Sequence, residues 1–182
     1  MNLNLDDIHL RPFEPSLDGD IVYKWYYSGE YDSYFRYAKT LYKKQNFADL
    51  EYMMRNCCLM IYKDGVIDPI GMWEYFDYVP GEQVKIGVML DKKYWEQQIA
   101  YKSGTLFFGY LFRDLQVKRV IMCVMKSAER LMHLLPKFGE PMGEGDFPGE
   151  KRFVFKRERF EEIYAKMELQ GAAQVQEYTD RR

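Results

Sequence analysis

The residues best suited to chemistry lie where a strand pattern runs straight into a helix pattern. Val84, Ile86, Val88 and Leu90 alternate with Lys85, Gly87 and Met89, as in a strand with one buried face. Helical spacing resumes at Ile99, and Trp95-Glu96-Gln97-Gln98-Ile99-Ala100 forms the loop between. A strand entering a helix N-terminus exposes several unpaired backbone N–H groups, reinforced by the helix dipole. Such groups can hold a phosphate or pyrophosphate. The amides from Trp95 through Gln97, Gln98, Ile99 and Ala100 to Tyr101 are therefore candidates for an anion cradle. Lys102 in the first helical turn, and Lys92-Lys93 just before the loop, could each meet a phosphate or stand as solvated surface charge.

Nucleophilic and metal chemistry are less well served. Cys57 and Cys58 are adjacent rather than spaced as a chelating pair, and Cys123 sits alone in an apolar run. The simpler reading is reduced, mostly buried thiols. His9 and His133 complete the set, and the sequence places neither beside a Cys.

Several elements must position the cradle. Ile8 to Phe13 alternates and reads as a first strand; Asp18 and Asp20 then stand as acidic capping candidates before Ile21, Val22, Trp25 and Tyr26. Tyr23, Tyr27, Tyr31, Tyr34 and Tyr37 crowd this helix and the loop after it, as packing and interface surface or as the wall of a substrate site. Phe47, Leu50, Met53 and Met54 suggest a second helix. Leu59 to Tyr62 and Pro69 to Tyr78 form a hairpin around the Lys63-Asp64-Gly65 turn. After the central helix from Ile99, Val117 to Met125 reads as a strand. A short helix carries Ala128, Leu131, Leu134, Leu135 and Phe138, with Gly139 as its C′ residue. Glu140 to Gly149 is turn-rich, Arg152 to Phe155 a last strand, and Phe160, Ile163, Tyr164 and Met167 a terminal helix. Residues 1–170 thus read as one domain, and the polar segment from Gly171 to Arg182 as a frayed, flexible tail.

Composition narrows the function. The 182 residues suit one sizeable core, and a formal net charge of −2 argues against a general nucleic-acid binder, which needs a basic field. No signal peptide is visible, and no stretch approaches the roughly 20 apolar residues needed to cross a bilayer. The expectation is a cytoplasmic protein with neither nucleic-acid nor membrane partner.

The order of elements, and three segments in particular, resemble the GNAT acyltransferase superfamily. Ile86-Gly87-Val88-Met89-Leu90-Asp91-Lys92-Lys93-Tyr94-Trp95 is similar to the Ile-Gly-x-x-Leu-Asp-Pro-x-Tyr-Trp run of its ribosomal-protein N-acetyltransferase-like branch. Phe112 to Val120, and Leu134-Leu135-Pro136-Lys137-Phe138-Gly139, add to the likeness, which covers roughly residues 8–157. The resemblance implies an α/β (α+β) fold: a central mixed, mostly antiparallel sheet flanked by helices, here with an extra C-terminal helix. It implies acetyl-CoA as co-substrate, its pantetheine arm bonded to the backbone of Val88 and Leu90 and its pyrophosphate on the loop. An amine acceptor would attack the thioester directly. Glu74 is the best remaining carboxylate for a general base, with Asp77 second, because Lys85 stands where the family often has an acid.

The resemblance also has gaps. The family loop, Q/R-x-x-G-x-G/A, is met only at Ala100; Gln98 replaces the first Gly, at a cost on the order of 1 kcal/mol if its φ is positive. The helix Asn and the acid Tyr of the family correspond to Ala128 and Leu135, with Ser127 and Arg130 as nearby polar substitutes. Two readings follow: an N-acyltransferase acting on a small amine or a protein N-terminus, or a catalytically inactive GNAT-like binding module. The Tyr-rich region and the terminal helix offer surfaces on which a homodimer could form.

Overall fold

The computed structural model describes residues 2–32, 34–35, 47–95 and 98–165. Tyr37, Glu96, Gln97, Met167 and the expected tail lie outside these. The fold is α/β, and its residues fall into two compact units.

The first unit draws on Met1–Tyr78 and Lys85–Tyr110. It contains β1 (Leu3–Leu5), β2 (Ile8–Pro12), α1 (Pro15–Tyr27), α2 (Phe47–Cys57), β3 (Cys58–Lys63), most of β4 (Gly71–Val79) and of β5 (Gln83–Leu90), and α3 (Ile99–Gly109). The strands lie in the order β1-β2-β3-β4-β5, and the pairings of β1 with β2, β2 with β3 and β3 with β4 are antiparallel. The expected hairpin is β3–β4. Gly65 takes φ +76 in its turn, where an L side chain would be strained. The strand β1 was not apparent in the sequence.

Alternation along these strands separates two apolar faces. Met60 pairs with Met72, and both join Met89, Cys58 and the aromatic residues Trp25, Tyr26 and Phe35 in one buried cluster. Helices α1 and α2 cover that face. Leu59 pairs with Trp73, whose side chain points the other way. Trp73 stacks on Phe107 of α3 at 5.0 Å, and its indole N–H donates to Ser103 Oγ at 3.0 Å. A buried indole thus keeps its donor satisfied. Helix α3 is therefore the central helix, but it ends at Gly109 and passes into a π-type turn at Tyr110–Asp114.

Asp18 corrects one expectation. It is not the N-cap of α1, which begins at Pro15 behind Glu14 in extended conformation; Pro suits this position because its missing N–H would be unpaired there anyway. Asp18 lies inside the helix, fully buried, and its carboxylate accepts from the Glu14 N–H at 2.8 Å. The Arg11 guanidinium donates two parallel bonds to it at 2.9 and 2.8 Å, and the Tyr62 hydroxyl donates a further one. The acid reaches back to serve the helix start from within.

The second unit draws on Val79–Val84 and Leu111–Arg182. It contains β6 (Arg119–Met125), α4 (Glu129–Leu134), β7 (Glu140–Glu144) and β8 (Glu150–Lys156), followed by helical residues 157–165. Strands β6, β8 and β7 pair antiparallel in that order. The stretch read as turns therefore includes a strand. Its exposure at every position and the register shift between Pro141 and Glu144 erased any alternation. Gly139 is also not a left-handed C′ residue. A Cβ there would lie 2.7 Å from a Phe155 ring carbon, so close approach of the chain is what demands glycine. Among the described residues no helix is long and apolar enough to cross a membrane.

Candidate active site

Strand β5 ends at Leu90 and enters a 3-10 turn, Lys92–Tyr94, capped by Asp91, whose carboxylate accepts the Lys93 N–H at 3.1 Å. The Trp95 N–H donates to the Lys92 carbonyl at 3.1 Å, and its indole N–H donates to the Leu90 carbonyl at 2.9 Å. Trp95 is therefore a clamp folding the loop back on its own strand. It offers no amide to a phosphate. Leu90 and Val88 remain half-buried strand residues.

Helix α3 begins after Gln98, which sits in the left-handed region at φ 58. Among the described residues no side chain caps this helix. The Tyr101 and Lys102 N–H groups donate to the Gln98 carbonyl at 3.1 and 3.0 Å, so the first-turn amides of Ile99 and Ala100 are those without a side-chain partner among the described residues. These residues fit a phosphate, on a narrower cradle than the sequence suggested. Tyr101 lies outside it. Lys102 departs from expectation too. Its ammonium pairs with Asp7 at 2.7 Å and Asp6 at 3.2 Å, and that pairing raises its pKa. Asp7 also holds Lys63, and the two ammonium groups keep its carboxyl far below the usual range. Lys92 meets Glu30 at 3.2 Å and Lys93 meets Asp91 at 3.5 Å.

Gln98 adopts the conformation that glycine would take without strain. Gln98→Gly should therefore stabilise the protein by about 1 kcal/mol, raising its thermal midpoint by about 2–4 °C. It should also tighten acetyl-CoA binding by removing a side chain from the mouth of the cradle. Differential scanning calorimetry and a binding titration check the two effects separately.

Glu74, on β4, is the site's distinctive carboxylate. It pairs in register with Cys58 and so projects on the face covered by α1 and α2. Its carboxyl lies directly above Gly87 of β5, where a Cβ would come within 2.7 Å of Glu74 Oε1. Glycine at 87 is thus the seat of this side chain. Glu74 keeps some contact with water yet is densely surrounded by protein. Burial pushes its pKa up to about 7, opposed in part by the nearby Tyr34 hydroxyl. A carboxyl titrating there can act as a base near neutral pH. Asp77, the second candidate, is exposed and paired with Lys85 at 2.9 Å.

The neighbouring thiols are not nucleophiles. Burial pushes Cys57 up to about 12 and raises Cys58 well above its ordinary value, so both stay protonated. In the second unit, Ala128 precedes α4 without a side-chain cap and Leu135 is buried at its C-terminal end. Ser127 and Arg130 are exposed at the start of the same helix. In the sequence Tyr34 stands only as one of a group of tyrosines that suit packing, an interface or a substrate wall. Nothing in its spacing could tie it to Glu74, 40 residues on.

Comparison with known proteins bears on this arrangement. Among solved structures, a GNAT-family acetyltransferase from Bacillus anthracis superposes with TM-score 0.67 at 15% identity, covering 87% of this chain and 99% of that one. The spermidine N-acetyltransferase SpeG of Vibrio cholerae, as a mutant, gives TM-score 0.62 at 14% identity, covering 86% and 97%. RimL, a ribosomal alpha-N-protein acetyltransferase in complex with coenzyme A, gives 0.64 at 11% identity, covering 86% and 98%. At such identities the likeness shows the fold alone. A search of curated proteins found no match. The family model described as an acetyltransferase (GNAT) domain matches residues 7–139, most of the chain. On that match, the chain belongs to the GNAT acetyltransferase family.

Proposed function

We propose that this protein is an acyl-CoA-dependent N-acyltransferase that moves an acetyl group from acetyl-CoA to an amine, on a small molecule or a protein N-terminus, by direct attack. The observation that carries this reading is the Glu74 carboxyl seated over Gly87, where burial pushes its pKa up to about 7. Acetyl-CoA, when bound, supplies an activated thioester. The uncapped Ile99 and Ala100 amides hold its phosphates, and the Val88 and Leu90 backbone orients the pantetheine arm beside Gly87. Glu74, as the carboxylate, takes the proton that an attacking ammonium must lose. Positioning of amine and thioester supplies much of the rate in such a transfer. A separate proton donor is then helpful rather than obligatory.

A second reading rests on the buried Leu135, which cannot donate a proton, and on the left-handed Gln98. On it, the chain is a catalytically inactive module that binds a protein or another ligand without turnover. One pair of measurements separates the two. Acetyl-CoA at about 100 times its dissociation constant should stabilise the protein by about 2.7 kcal/mol, a rise of about 5–10 °C in thermal midpoint. Release of the coenzyme A thiol should then depend on an added amine. A midpoint unmoved at millimolar acetyl-CoA would sink the transferase reading. A shift without thiol release across a panel of amines would favour the second.

A further inference from the structure

The Tyr34 hydroxyl is buried and, among the described residues, has no hydrogen-bond partner of good geometry. An orphaned buried hydroxyl is costly and calls for an explanation. Its surroundings supply one. Tyr34 packs against the cluster containing Cys58, Met72 and Met89, and Cys58 stands opposite Glu74 in the β3–β4 register. Glu74 is held from the far side by the close approach of Gly87. Among the described residues, the titratable side chains that face Glu74 are Tyr34, from the segment after α1, and Cys57 and Cys58, where α2 meets β3. From β5 the carboxyl meets Gly87, which carries no charge. Both thiols stay neutral well above physiological pH, so neither can balance the charge on Glu74.

We propose that Tyr34 is a positioning residue: its otherwise unpartnered hydroxyl closes onto the Glu74 carboxylate as that group ionises, holding it over Gly87 in the orientation that receives a proton. This deepens the transferase reading and rests on it for its catalytic meaning, but the contact itself does not. A hydroxyl is the right group for the task. It donates to the anion without adding a charge, so it stabilises the base form while leaving it basic. The hydroxyl itself is unsuited to be the base, because burial raises its pKa well above the ordinary tyrosine value.

The test is a carbon-13 NMR titration of the Glu74 carboxyl in the full chain, compared with Tyr34→Phe and assigned with Glu74→Gln. Loss of a hydrogen bond worth about 1 kcal/mol should move the midpoint upward by about one pH unit. The acid limb of kcat against pH should move with it, while KM for acetyl-CoA is unchanged. An unmoved Glu74 midpoint overturns the proposal whatever turnover does. A moved midpoint in a protein that transfers no acetyl group upholds the contact and overturns the transferase reading instead. Should Tyr34→Phe fail to fold, the ring carbon bearing the Tyr34 hydroxyl reports in the unaltered protein. Its shift should follow the Glu74 midpoint and lose that inflection in Glu74→Gln; a flat response counts against the proposal.

Discussion

Glu74→Gln is expected to lower kcat for acetyl transfer by about 10²- to 10⁴-fold, the usual contribution of a positioned base, while making the protein more stable above pH 7. The two effects have one origin. Burial raises the Glu74 pKa from 4.5 to about 7, so between those values the folded protein keeps a proton that the unfolded chain has lost. Stability therefore falls as pH rises through this window, since the native state binds more protons there. The contribution is complete below about pH 4.5 and gone above about pH 7, and amounts to roughly 3 kcal/mol. Glutamine has nearly the same shape, can accept from Tyr34, and never ionises. Its variant should lose this segment of the pH dependence. Urea unfolding at about pH 5 and about pH 8 measures the change, and steady-state rates at the same two values measure the other. Full activity in Glu74→Gln would remove the carboxyl from the mechanism, whereas a stability profile unchanged from the parent would show that the carboxyl is not desolvated.

How much of such a site is legible in the sequence depends on the range of the interaction. Alternation from Val84 to Leu90 located β5, and the Lys63-Asp64-Gly65 turn located the β3–β4 hairpin; both are signals carried within ten residues. The same local signal put Glu74 on a strand, and the concern over a positive φ at Gln98 came from one position in one loop. The rest is made by residues distant in sequence. Lys102 looked like a phosphate ligand because it follows the loop, yet Asp6 and Asp7, more than 90 residues earlier, neutralise it. Trp95 looked like part of the cradle, and its indole instead secures Leu90. The elevated pKa of Glu74 has no local signature either. It arises because β3, β5 and the segment after α1 converge on one carboxyl. Strand β7 escaped for a different reason: with both faces exposed, nothing forced its residues to alternate.

Asp18→Ala is expected to cost about 3–5 kcal/mol of stability, the range for breaking a buried ion pair from one side. Three donors would lose their acceptor together: the Arg11 guanidinium, the Glu14 N–H and the Tyr62 hydroxyl. Arg11 is only 24% exposed in its side chain, so its charge would be left with the Pro12 carbonyl and the Tyr62 side chain but no carboxylate. Replacing both ends of the pair, in Arg11→Leu with Asp18→Leu, should cost less than the single substitution, because no orphan charge remains. Urea denaturation of the parent and both variants tests that ordering, and a double variant less stable than the single would refute it. The consequence reaches the site through α1. That helix delivers Trp25 and Tyr26 to the cluster that excludes water from the face bearing Glu74. If Asp18→Ala loosens α1, water gains the carboxyl and its pKa should fall toward the ordinary carboxylate value. The acid limb of the rate profile then moves down in pH, opposite to the direction expected for Tyr34→Phe. The two substitutions thus separate the two influences on one group: the α1 anchor sets how dry Glu74 is, and the tyrosine hydroxyl sets how well its charge is met.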